Sequence, residues 1–237
     1  MHNPNNSEEI FLDLMSLHLS SQGFLLKFYY KYIKKNFKIY PVSRSWEYPW
    51  AIINAHITKG LNILDAGCGG SPLLSYLYKR GCNCFGVDYK FWYDSSFPKS
   101  FKARISRKLS NYFPFYYLIN PHGMYPLANA AKSLGFKIFY IKGKINNLPF
   151  KDNFFDRIFC ISVLEHINRN DFCYIAKEFK RVLKRDGLLI ITMDIKDSGI
   201  FWQDFIMATG MVLINKDYKD YYKDLGYSVI GLILKKT

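Results

Sequence analysis

The run Ile63-Leu-Asp-Ala-Gly-Cys-Gly-Gly-Ser-Pro72 sets a carboxylate, Asp65, at the end of a short apolar stretch and follows it with Gly67 and Gly69. Glycines in such a turn let the backbone approach a ligand closely. A second carboxylate, Asp88, closes the next apolar stretch, Phe85-Gly-Val-Asp88. An acid at that point can accept both hydroxyls of a ribose. The third feature is Glu165-His166, just after the apolar run Phe155–Ser162. An imidazole there is a candidate general base, with His122 a weaker second. Each has a plainer reading beside it: Asp65 and Asp88 as turn or helix-cap residues, and Glu165 and His166 as the cap of the next helix. Cys68 and Cys160 read as packing residues.

A nicotinamide dinucleotide is the first competitor for the glycine turn. It wants a third glycine, to pack helix on strand, where this chain has Pro72. An acid beside a pyrophosphate would also be repelled. S-adenosyl-L-methionine has no phosphate and carries an ammonium and a sulfonium, so Asp65 suits it.

Two further stretches carry a family resemblance. Asn147-Leu-Pro-Phe-Lys-Asp-Asn-Phe-Phe-Asp156 runs on through Arg157-Ile-Phe-Cys-Ile-Ser-Val-Leu-Glu-His-Ile167, and Arg181-Val-Leu-Lys-Arg-Asp-Gly-Leu-Leu-Ile-Ile191 follows. Together with Ile63–Gly70 they resemble, in order and spacing, the motifs of class I S-adenosylmethionine-dependent methyltransferases, in particular the ubiquinone/menaquinone-type small-molecule enzymes. The resemblance covers roughly residues 61–194. It implies S-adenosyl-L-methionine as cofactor. Asp65, Gly67, Cys68 and Gly69 would surround the methionine part, Asp88 would hold the ribose, and Ile145 and Asn146 would flank the adenine. Cys160, Ile161 and Ser162 would line the methionine end. The chain departs from the family pattern at Ser71, at Lys144, which stands where an acid is usual beside the adenine, and at Arg185-Asp-Gly, which replaces a Lys-Pro-Gly-Gly turn.

The elements needed to position these residues are legible as alternating strands and helices. Strands are expected at Leu61–Ala66, Cys84–Val87, Lys137–Ile141, Phe155–Ser162, Leu188–Met193 and Val229–Leu234. Helices are expected at Pro72–Arg80, Leu127–Leu134 and Asp171–Leu183, with Pro72 well placed at a first helical position. Residues 8–36 have helical spacing, and Arg44–Ile53, with Trp46, Tyr48 and Trp50, should lead into a short helix ending near Gly60. Those aromatics could border an acceptor pocket or belong to the core. The expected fold is α/β: a Rossmann-like, mostly parallel sheet with helices on both faces. It forms a single domain, with a helical N-terminal extension (1–60), a cofactor-binding core (61–194) and the C-terminal part of the sheet (195–237). Residues 89–126 form an aromatic, basic insert, too long for a bare loop.

Bulk properties bound the partners. The chain has 237 residues, a formal charge of +14 and 49% hydrophobic residues. It can bury a sizeable core, and its positive charge favours anionic company. The insert could act as a substrate lid, as ordinary cover for the sheet, or as a basic amphipathic contact with an anionic membrane. Five cysteines without a Cys-x-x-Cys pair argue against zinc and disulfide frameworks and for reduced thiols in the cytoplasm. No signal peptide or membrane-spanning segment is legible.

Three functions compete. The first is methyl transfer to a small-molecule, glycan or lipid-linked acceptor. The second is RNA methylation, disfavoured because Val163-Leu-Glu-His166 stands where base-amino methylators carry Asn/Asp-Pro-Pro-Tyr/Phe. The third is a non-catalytic cofactor-binding or membrane-associated scaffold.

Overall fold

A computed structural model describes residues 44–69, 71, 73–89, 137–196, 201–222 and 227–237. The expected helices at 8–36 and 127–134, and nearly all of the 89–126 insert, lie outside the described residues.

Helix α1 (Arg44–Asn54) precedes strand β1 (Asn62–Ala66), helix α2 (Leu73–Lys79) and strand β2 (Asn83–Asp88). Strands β3 (Phe139–Lys142) and β4 (Phe155–Ile161) follow, then two single 3-10 turns, Leu164–His166 and Arg169–Asp171. Helix α3 (Phe172–Val182), strand β5 (Leu183–Lys196), helix α4 (Phe201–Thr209) and strands β6 (Val212–Tyr222) and β7 (Tyr227–Lys235) complete the described chain. The strands form one sheet in the order β3-β2-β1-β4-β5-β7-β6. The ladders from β3 across to β5 are parallel, and β7 pairs antiparallel with both β5 and β6.

Strand side chains alternate between two cores. Leu64, Ala66, Ile158, Cys160, Leu189 and Ile191 pack on α3 and α4. Ile63, Phe159, Ile161, Ile190 and Ile233 face the other way, onto α1 and α2. Such runs, apolar on both faces, are what a parallel sheet covered on both sides requires. Helix α3 shows the matching helical period: Phe172, Ile175, Ala176, Phe179 and Val182 are its buried residues.

Three expectations change. Arg44–Asn54 does not lead into a helix ending near Gly60; it is the helix, and Gly60 instead turns into β1 at φ +89°. The buried stripe Tyr48, Ala51, Ile52 and Ala55 holds that helix despite Pro49 within it. The expected strand Leu188–Met193 is the central part of a longer one, because Leu183 already pairs with Phe155 and the segment between Leu183 and Leu188 bulges out. Helix α4 and strand β6 were not expected from sequence. Strand β6 is a sheet edge on which Val212 and Ile214 are exposed and Lys216 and Asp217 follow, so it has no buried-strand pattern. Of the aromatics in α1, Tyr48 and Trp50 belong to the core, and Trp46 stacks on Trp50 with ring centroids 5.3 Å apart.

Trp50 ties α1 to the antiparallel end of the sheet. Its Nε1 donates to Asp217 Oδ2 at 2.7 Å, and its ring lies over Gly231 of β7. A Cβ at position 231 would sit 2.6 Å from that ring, so the close approach of helix to strand requires glycine. Gly231→Ala is expected to lower the unfolding free energy by about 1–3 kcal/mol through overpacking, read from the urea midpoint at constant m-value.

Candidate functional site

Parallel strands end at one common edge, and the structure brings the candidate residues together there. Asp65 lies opposite Gly86 on one side and Phe159 on the other, and is buried. After Ala66 the chain turns tightly: the amides of Gly67 and Cys68 both donate to Val87 O, at 2.8 and 3.2 Å. This pins the glycine turn to the end of β2. Gly67 has φ +80°, and a Cβ there would lie 2.5 Å from the Val163 side chain. Asp88, half-buried at the end of β2, reaches back so that the Gly69 amide donates to its Oδ2 at 2.8 Å. The two acids thus flank a turn whose Gly67, Cys68 and Gly69 amides are held by Val87 O and Asp88 Oδ2, and the segment Asp65–Ser71 contains no basic side chain.

Ile145 and Asn146 follow β3, the next strand outwards from β2. Ile145 is buried in the core and Asn146 half-buried, while Lys144 is exposed. This is the far end of the same edge, three strands from Ser162. The Leu148–Asp152 loop that follows is fixed from α3. The Leu148 amide donates to Glu178 Oε2 at 2.7 Å, and the Arg181 guanidinium donates to Leu148 O, Phe150 O, Asp152 and Glu178. The Glu178 carboxyl is held below its usual range by that guanidinium. Asp156 is structural in the same way, accepting from the Asn62 amide and from Lys184 Nζ at 2.8 and 2.7 Å.

On the other side of β1, β4 delivers Ile161 and Ser162. Ser162 has φ +50°, and its amide donates to Thr192 O of β5 at 2.8 Å. Its hydroxyl donates to Glu47 Oε1 at 2.5 Å, and the Thr192 hydroxyl donates to the same oxygen at 2.7 Å. Glu47 comes from α1 and is completely buried. His166 is exposed on its 3-10 turn, whereas Glu165 beside it turns inwards, with the Asp194 amide 3.4 Å from its Oε1. Burial, together with the charges of Glu47 and Asp194, pushes the Glu165 carboxyl up to about 8. The exposed position of His166 gives its imidazole no contact with this cluster, and the inward-facing titratable group is its neighbour. Cys68 and Cys160 are buried thiols whose pKa burial raises, with nearby acids adding to the effect, which is the packing role expected of them.

Sequence reasoning missed Glu47. One signal for it is present: it is the only acid in an otherwise apolar and aromatic helix, RSWEYPWAIIN. Glu165 was considered only as a cap. Thr192, a lone hydroxyl in the apolar run of β5, was not noticed.

Comparison with known proteins agrees with this geometry. The model of a family described as "Methyltransferase domain" matches residues 102–191, which takes in the second and third sequence motifs but not Ile63–Gly70. An uncharacterised protein of Methanocaldococcus jannaschii is 37% identical over 97 residues, 41% of this chain and 37% of its own length. The chain therefore spans little more than a third of that relative. Among solved structures, a Pyrococcus horikoshii OT3 protein superposes with TM-score 0.55 at 18% identity, covering 91% of this chain and 100% of its own. The 1,6-didemethyltoxoflavin-N1-methyltransferase of Burkholderia thailandensis, solved with bound 1,6-didemethyltoxoflavin and S-adenosylhomocysteine, gives TM-score 0.56 at 15% identity, covering 79% and 76%. Residues 102–191 thus match a methyltransferase-domain family, and the described sheet shares the fold of these solved structures. The matches single out no subfamily.

Two outcomes are expected. Gly67→Ala should cost about 1–3 kcal/mol from the positive φ and the Val163 clash. Adding Val163→Ala should recover only the clash part, read as non-additivity in a denaturation cycle. The second concerns Glu165. An unfolded chain ionises this carboxyl near 4.5 and the folded chain only near 8. The stability it contributes is therefore complete at low pH and is lost as pH rises through the folded value. Unfolding free energy should fall between roughly pH 5 and pH 8 in the native chain, and Glu165→Gln should flatten that slope.

Proposed function

We propose that this protein transfers a methyl group from S-adenosyl-L-methionine to a small-molecule, glycan or lipid-linked acceptor. The observation that carries the reading is the pair of carboxylates, Asp65 and Asp88, flanking a glycine turn without basic side chains at the carboxyl edge of β1 and β2. That donor set fits the cofactor. Asp65 is placed to meet a cationic amino group, which a buried acid favours strongly. Asp88, already accepting one amide, is of the type and position that takes ribose hydroxyls. Ile145 and Asn146 would flank the adenine, and Cys160–Ser162 the methionine end. The cofactor supplies a methyl carbon already activated by its sulfonium.

What remains for the protein is placement and exclusion of water. The sheet order dictates the direction. With the nucleoside over β2 and β3 and the methionine over β1, the acceptor belongs over β4 and β5. There Ser162 and Glu165 follow β4, Thr192 and Asp194 lie near the end of β5, and Glu47 descends from α1.

Calorimetry tests the reading. S-adenosylmethionine and S-adenosylhomocysteine should both bind the native chain, and Asp88→Ala should weaken both by roughly tenfold or more. A native chain that shows its full circular dichroism but binds neither ligand would remove the methyltransferase reading.

A further inference from the structure

Strand β6 ends the sheet, and among the described residues no strand pairs with its outer side. An outermost strand of 11 residues offers a row of amides and carbonyls to another chain. Its beginning is apolar. Val212, Leu213 and Ile214 are exposed in succession, and Met207, in the last turn of α4, is more exposed still. Soluble proteins guard such edges with bulges and lysines. The bulges here lie to either side: the pairing of β6 with β7 is unbroken from Asn215 to Asp220 and shifts before and after that run. The lysines, Lys216 and Lys219, each precede an aspartate, in the order Lys216-Asp-Tyr-Lys-Asp220. Lys216 and Asp217 are both exposed.

That order decides what the charges do. A lysine guards an edge when it meets its own charge on an approaching strand. In an antiparallel pair with a two-fold axis at Tyr218, Lys216 takes the register position opposite Asp220 of the other copy, and Asp217 the position opposite Lys219. The axis repeats both pairs. Ile214 then stands opposite Tyr222, a β-branched residue against an aromatic one. Opposite charges and such apolar pairs favour a ladder, and like charges directly opposite disfavour it. A slip of one residue in one direction sets Lys216 opposite Lys219, and in the other Asp217 opposite Asp220, each twice over. The charges therefore select one register rather than forbid pairing. A strand complementary to itself is what an isologous, two-fold interface requires.

We infer that two copies of this chain pair through antiparallel β6 strands about an axis at Tyr218, joining their sheets edge to edge. The pairing is independent of the methyl-transfer reading. It also steadies the strand that anchors α1, since Asp217 accepts from Trp50 Nε1 at 2.7 Å.

Sedimentation equilibrium on the full chain tests this. The mass should rise to that of two chains by roughly 100 µM, the behaviour of a small interface with a Kd in the micromolar range. Asp220→Lys sets lysine opposite Lys216, and Lys216→Asp sets aspartate opposite Asp220. Each variant alone should self-associate about tenfold or more weakly. Mixed in equal amounts, the two should associate as the native chain does, because every altered position then faces its opposite charge. A merely structural role for either residue gives no such recovery. Lys219→Glu, which sets an acid opposite Asp217, supplies a second disruption should one of the first pair lose its native circular dichroism. A native chain that stays monomeric over the whole range would overturn the assignment. So would a dimer that the folded variants leave unchanged, or variants that stay apart when mixed.

Discussion

The parallel pairing of β1 with β2 and β4 is the constraint on which the rest of the molecule depends. In a parallel ladder every strand ends at the same side, so residues far apart in sequence are delivered to one line without any loop having to reach. Asp65, Asp88, Ser162 and Asp194 occupy that line because each lies at or close to the carboxyl end of its strand. The same pairing forces both faces of the sheet to be buried. This explains why β1, β4 and β5 are nearly continuous apolar runs, and why a buried acid in one of them, Asp65, stands out. The antiparallel β7 closes the sheet on the β5 side and gives α1 the floor on which Trp50 rests.

At the edge opposite the site bases and acids meet: Lys180, Lys184, Arg185, Lys235 and Lys236 lie there with Asp156, Glu178 and Asp186. Several of those bases are already engaged: Lys180 donates to Gly210 O, Lys184 to Asp156, Lys235 to Asp186, and Lys236 to the carbonyls of Lys180 and Leu183. In the described part, the large positive net charge therefore serves helix and strand termini as much as any external partner. No helix among the described residues is long and apolar enough to cross a membrane.

Much of the core was legible because its signals are local. The acid–glycine turn, the acid closing β2 and the periodic helix α3 each declare themselves within about a dozen residues, and the structure places them where their spacing implies. What was illegible depends on distant partners. Glu47 meets Ser162 and Thr192 across separations of 115 and 145 residues. Its apolar and aromatic neighbours hint at burial, but nothing local names the partners it meets. The Glu178–Arg181 clamp on the Leu148–Asp152 loop is similar: on the helix it looks like an ordinary surface pair, and its role exists only because the loop lies beneath it. Strand β6 escaped notice because an exposed edge needs no apolar alternation. His166 was the candidate and Glu165 only a cap, and the geometry of a 3-10 turn leaves His166 the exposed one of the two.

The position of α1 also sets an order in time. This helix leaves the ribosome before any of the described strands, yet its fixed contacts are with Ser162, Thr192, Asp217 and Gly231. It can dock only after β6 and β7 have been synthesised and paired, a closure over 167 residues in the case of Trp50 and Asp217. Contacts of such sequence separation form late and slowly. During synthesis the nascent sheet must therefore wait with the apolar face that α1 will cover still open to water. The segment that completes the acidic edge precedes every strand it meets and docks after them, so that end of the edge forms only once β4, β5 and β7 have paired.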